Sequence, residues 1–183
     1  MNPWFLPTVA ELKHGIYRLN TDYRDILEIF SWLEDEDQPM YLRWEVALAL
    51  FYQDPVEPAD RAEAAEFLCR FIGGGSQPDR PGVKLMDWQQ DATAILSDIN
   101  RVAGGEVRAM KYVHWWTFLS WFHSIGQGQL STLVSIRDKL RRGKKLEDWE
   151  KEFYRENKSR VDLKKRYDPE EQRERARLEA LLS

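Results

Sequence analysis

Apolar residues recur at helical spacing along most of the chain. Ile26, Leu27, Phe30 and Leu33 stand three or four apart, which predicts a helix over 22–34. Asn20, Thr21 and Asp22 precede it with side-chain oxygens suited to free first-turn N–H groups. An acidic run, Glu34 to Asp37, ends it, and Pro39 prevents continuation. A second helix is expected over 41–52, apolar on most sides, with Asp54-Pro55 as its stop. A third starts near Pro58, carries Ala62, Ala65, Phe67, Leu68 and Phe71 or Ile72 on one stripe, and ends at Gly73-Gly74-Gly75. Residues 76–83 read as a loop.

Asp87 is placed to cap a fourth helix bearing Trp88, Ala92, Ile95, Leu96, Ile99 and Val102, closed by Gly104-Gly105. The fifth segment, Met110 to Ile125, is the most apolar and is apolar around most of its circumference. It is expected either at the centre of the core or shared with a partner. A sixth helix presents Leu130, Leu133, Val134 and Leu140, with Ile136 or Arg137 on the same stripe, and gathers cations at its C-terminal end, where they suit the helix dipole. A seventh, over 146–158, has Leu146, Trp149 and Phe153 on one face. Asp168-Pro169-Glu170-Glu171 signals the start of a last helix with few apolar residues. Only Gly15 to Leu19 alternates like a strand; it has no obvious partner strand, and a pairing through Phe5–Val9 stays open. The pattern is that of an all-α single domain of six to eight helices, with room for a short N-terminal β-hairpin.

Composition alters this picture in two places. The chain has 183 residues and a formal net charge of −4. Residues 1–136 hold 11 basic and 19 acidic groups, whereas 137–183 hold 16 and 12. That shift divides the chain into a helical core domain, 1–145, and a charged C-terminal helical arm, 146–183. The second feature is tryptophan: there are eight, three of them (Trp115, Trp116 and Trp121) on one helix. Successive helical residues differ by about 100°, so Trp115 and Trp116 cannot both face one neighbouring helix. Either other helices surround this one, or a ring is left for another chain. Trp116 and Trp121 are therefore the candidate partner-binding aromatics.

Catalytic and metal chemistry find no setting. His114 and His123 are nine residues apart, roughly opposite each other on a helix, and cannot share a metal directly. Asp87 and Asp91 lie four apart on one face, but Asp87 is better read as a cap. Ser120, Ser124 and Ser131 lack a Gly-x-Ser-x-Gly turn, and Gly73-Gly74-Gly75-Ser76 lacks the Lys-Ser/Thr of a phosphate loop. No cofactor, no metal and no enzymatic activity are expected. The one cysteine, Cys69, precludes an intrachain disulfide and suits a reducing compartment. Met1 to Trp4 lacks the features of a secretory leader, and no apolar run is long enough to span a bilayer. The basic stretch Arg137–Lys145 could neutralise phosphates. However, Glu147, Asp148, Glu150 and Glu152 follow at once, and a solvated helix end or a protein-partner patch using Arg137, Arg141 and Arg142 is the simpler reading.

Three motifs in order carry a resemblance: Ile16-Tyr17-Arg18-Leu19-Asn20-Thr21-Asp22-Tyr23-Arg24; Asp87-Trp88-x-x-Asp91 with Ile95; and His114-Trp115-Trp116-Thr117-Phe118 followed by Ile136-Arg137 and a basic tail. Together they resemble the "gene product fifteen" family of tailed bacteriophages and prophages, with Val113 where that pattern has leucine. The signature residues are Thr21, Asp22, Arg24, Asp91, His114, Trp115, Trp116 and Phe118. The resemblance implies a non-enzymatic tail assembly factor, akin to a tail assembly chaperone that binds the tape measure protein while the tail tube forms. Implied partners are the tape measure protein and the major tail protein; self-association stays open, and no membrane is expected. The implied location is the host bacterial cytoplasm rather than the finished virion. The rival reading is a nucleic-acid-binding accessory phage protein that uses residues 137–145.

Overall fold

A computed structural model describes residue 2, residues 4–75 and residues 83–164. Eight helices and one two-stranded antiparallel hairpin occur among them, so the expectation of a mostly helical chain with a short N-terminal hairpin holds there. The last helix expected from Asp168 lies outside the described residues. No described helix is long and apolar enough to cross a membrane. The chain divides into two compact units.

One unit comprises Thr8–Asn20 and Arg24–Leu68 among the described residues. It contains β1 (Val9–Leu12), β2 (Gly15–Arg18), most of α1 (Tyr23–Leu33), α2 (Met40–Phe51) and the greater part of α3 (Arg61–Ile72). The partner of β2 is Val9–Leu12 rather than Phe5–Val9, with Ala10 opposite Tyr17. Both of those side chains are buried while Val9 and Ile16 face solvent, the alternation a one-sided hairpin requires. The hairpin turn is fastened by Asp60, whose carboxylate is fully buried. It lies 2.5 Å from His14 Nδ1 and accepts a 2.9 Å bond from the Tyr17 hydroxyl. Burial raises the Asp60 proton affinity, but the His14 and Tyr17 hydrogen bonds outweigh it and hold the carboxyl below its ordinary range. Ile26, Ile29, Phe51, Ala64 and Leu68 are completely buried.

The other unit comprises Thr21–Tyr23, Cys69–Lys164 and the segment before Thr8. It holds the last turn of α3, then α4 (Ala92–Ala103), α5 (Trp115–His123), α6 (Gln129–Arg141), α7 (Asp148–Glu156) and α8 (Lys158–Val161). Helix α4 packs against both α5 and α6. Residues 146–164, read from sequence as part of a charged arm, lie in this unit, with Leu146, Glu150 and Val161 buried. Glu150 is held by Lys139 Nζ at 2.7 Å and accepts the Glu147 N–H at 2.8 Å. The inner face of α7 thus carries an ion pair, and Trp149, expected beside Leu146, is 58% exposed.

Helix α6 begins against a carboxylate from α4. Asp98 is buried and accepts the N–H groups of Gln129 (3.3 Å) and Leu130 (2.9 Å), two of the donors a helix leaves unpaired at its start. Gly128 lies directly beneath that carboxylate, and a Cβ there would collide with the Asp98 side chain. Gly128→Ala should therefore push Asp98 off the helix end. The expected loss is about 1–3 kcal/mol, in line with overpacking at a tight site, read as a lowered midpoint in thermal or urea unfolding.

Candidate partner-binding site

The site is built around α5, and α5 is built on His114. Apolar periodicity places the start of this segment at Met110, but the helix starts at Trp115. The preceding residues are extended because they pair with Thr21–Tyr23. Asp22 and His114 form a bridge, the Tyr23 N–H donates to Val113 O (2.9 Å), and the Trp115 N–H donates to Thr21 O (2.7 Å). Asp22 Oδ2 accepts the Val113 N–H at 3.0 Å, and the Thr21 hydroxyl meets that of Tyr112 at 2.6 Å. These pairings occupy the backbone donors that a longer helix would need.

His114 is the N-cap. Its Nδ1 accepts the Trp116 N–H at 3.0 Å, and its Nε2 lies 3.1 Å from the Pro7 carbonyl. Both contacts are made at once only by the neutral ring with its proton on Nε2. Burial pushes its pKa down, partly offset by the Pro7 bond. Within the window below the ordinary value of 6.5, the folded ring binds fewer protons than the unfolded one. Stability should therefore be level above that value and fall as pH drops through the window. His114→Asn keeps a good cap and removes this titration. Thermal melts of both proteins from pH 8 to pH 5 should differ in slope only in the lower part of that range.

The two adjacent indoles resolve the facing problem together. Trp115 Nε1–H donates to Ile72 O (2.9 Å) and Trp116 Nε1–H to Phe71 O (2.8 Å). Both acceptors belong to the last turn of α3, where carbonyls lack partners within the helix; Phe71 O also accepts the Gly74 N–H at 3.0 Å. The rings diverge but their N–H groups converge on one helix end. Trp115 also packs on Trp88 and Phe118, and Phe118 stacks on Tyr23 with centroids 4.5 Å apart. Trp116 is buried, with its indole N–H already committed.

Trp121 is different. It is half-buried and lines an open groove of about 620 Å³ with Leu6, Gly73, Trp116, Leu119 and Ser120. Among the described residues, the groove leaves this side of α5 open.

Of the expected basic contacts, Arg137 is removed from the surface. Its side chain is 5% exposed and that of Asp91 1%. The two pair bidentately at 2.6 and 2.8 Å. The remaining guanidinium N–H groups donate to Val161 O (2.6 Å), Leu85 O (2.9 Å) and Arg160 O (2.7 Å). All five donors are used, which leaves none for a partner. Asp87 caps its own turn through Gln89 and Gln90, so it and Asp91 do separate work. Arg141 and Arg142 are exposed, and both contact Asp138. Those hydrogen bonds, Arg141 first, hold the Asp138 carboxyl below its usual range. Lys139 belongs to Glu150, while Lys144 and Lys145 are exposed. The basic stretch is thus a surface of fewer available charges than its sequence contains.

The signature residues sort by place. Thr21, Asp22, His114, Trp115, Trp116 and Phe118 meet at the start of α5, Asp91 meets Arg137, and Arg24 lies in the first turn of α1 in the other unit. Sequence reasoning missed the Asp91–Arg137 pair and the Asp98 cap, because nothing local in the chain marks partners 46 or 32 residues apart.

No curated protein and no solved structure matches this chain. A family model described as "Bacteriophage Gp15 protein" matches residues 5–163, and the chain belongs to that bacteriophage family.

Proposed function

We propose that this chain is a tail assembly chaperone that works by binding rather than catalysis. Its client would be the tape measure protein, held until tail-tube subunits take its place. The observation that carries the reading is the open groove walled by Leu6, Leu119 and Trp121, beside the exposed Trp4 and Phe5. Apolar surface of this kind, on a chain that belongs to a phage family, suits transient cover for an amphipathic client helix. Exposed Arg141 and Arg142 offer charge for an acidic client. The protein would act in the host cytoplasm and be absent from the finished virion.

The test is co-expression with the tape measure protein of the same genome, followed by affinity capture through a tag on this chain. The expected result is co-elution that weakens when Trp121 is replaced by alanine. Absence of association, with or without tube subunits, would overturn the proposal.

A further inference from the structure

Helix α2 is apolar at every position except Arg43 and Glu45, yet only Ala47, Leu48 and Phe51 among its residues are buried. A helix apolar all round is ordinarily enclosed by others. Here one side stays open. Met40 is 68% exposed and Tyr41 72%, and Glu45 and Ala49 follow Tyr41 as exposed positions. Residues four apart lie one above the other on a helix, so Tyr41, Glu45 and Ala49 form a single stripe. The stripe runs into a hollow of about 300 Å³ whose lining includes Leu48, Ala49, Tyr52, Pro55 and Val56. Stripe and hollow belong to the same compact unit.

That unit is strongly acidic. Among the described residues, Thr8–Asn20 and Arg24–Leu68 together hold 13 acidic and 5 basic side chains, whereas the other unit holds 12 and 16. The basic groups around α2 and the hollow are already engaged. Arg61 pairs with Glu45 at 2.5 Å and Arg18 with Asp54 at 3.1 Å, while Arg43 donates to the carbonyls of Gln38 and Leu33. Glu36 and Asp37, just before α2, are exposed. We infer that this face of α2 docks a basic amphipathic helix of another protein. The apolar side of that helix would cover Tyr41 and Ala49, and its lysines or arginines would meet the acidic surroundings. Charge selects the occupant, since an acidic surface draws cationic partners and repels anionic ones. Residues 165–183 of the chain itself hold five acidic and five basic groups, and so have no net charge to offer. At 1.5 Å per residue α2 is about 18 Å long. Roughly three turns of a partner helix fit along it, with one apolar side chain seated in the hollow. This surface is separate from the α5 groove, and its partner is opposite in charge to a client suited to Arg141 and Arg142. Neither depends on the other.

The experiment is fluorescence anisotropy of a labelled synthetic amphipathic helix of leucine and lysine, about 14 residues long, titrated with the full chain. The expected result is saturable binding at micromolar concentration that weakens as salt is added. Tyr41→Ala/Ala49→Lys alters only exposed positions and should raise the dissociation constant roughly tenfold or more. Glu36→Lys/Asp37→Lys should raise it several-fold, with thermal melts to verify folding of both variants. Trp121→Ala should leave it unchanged, because the α5 groove is not involved. The same peptide with glutamine in place of lysine should bind far more weakly. Absence of binding would overturn the inference, as would binding indifferent to the α2 variants or lost with Trp121→Ala. A dimer in sedimentation that dissociates with the α2 variants would also overturn it, since the face would then belong to a second copy.

Discussion

Replacing Asp91 by alanine is expected to cost about 3–5 kcal/mol of folding stability, the range for breaking a buried ion pair from one side. For a chain of this length that corresponds to a melting temperature lower by roughly 6–20 °C. The reason lies in what is left behind. Arg137 would keep its three bonds to the carbonyls of Leu85, Arg160 and Val161, but its charge would have no counter-charge in a site that excludes water. Arg137→Ala should be as damaging, because it also strands those carbonyls. The double variant Asp91→Leu/Arg137→Met should recover part of the loss, since no charge remains buried. A cycle of the single and double variants measured by urea unfolding would show strong coupling. Additive single losses would mean that the pair does not act as a unit.

The second large effect separates the tryptophans of α5. Trp115→Ala should cost about 3–5 kcal/mol, as for other fully buried aromatics. It removes a ring packed on Trp88 and Phe118 and also the donor that covers the Ile72 carbonyl. Trp121→Ala should cost about 1 kcal/mol, near the centre of the range for ordinary substitutions, because its ring is half-buried at the groove. Chemical denaturation of the two variants side by side measures the difference. Equal losses would mean that Trp121 is a core residue, and the groove would no longer be a credible docking surface.

Helix positions were legible wherever punctuation was local. Pro39, Asp54-Pro55, Gly73-Gly74-Gly75 and Gly104-Gly105 bound helices close to where the chain places them. The hairpin was legible in its second strand, where Ile16 and Tyr17 alternate, but not in its first. Val9–Leu12 becomes a strand by pairing with Gly15–Arg18. The start of α5 was misread for a related reason. Met110 to His114 has helical periodicity, yet its backbone is claimed by Thr21–Tyr23, some ninety residues earlier.

The candidate site was half legible. Crowding of indoles on one helix singled out α5, and the offset of about 100° between neighbours required different surroundings for Trp115 and Trp116. Periodicity could not show that both N–H groups reach the end of α3, so that Trp116 is committed within the fold and Trp121 is the more available ring. Arg137 misled in the same way: one cation among six in a basic stretch, it is distinguished only by a carboxylate on another helix.

The proposed role is to keep apolar surface of a tail protein in solution by covering it. The most direct measurement is the soluble fraction of the tape measure protein when it is produced in the host alone, with this chain, and with the Trp121→Ala variant. A shift into the soluble fraction is expected with the native chain and a smaller shift with the variant. A tape measure protein equally soluble in all three cases, or equally insoluble, would contradict it.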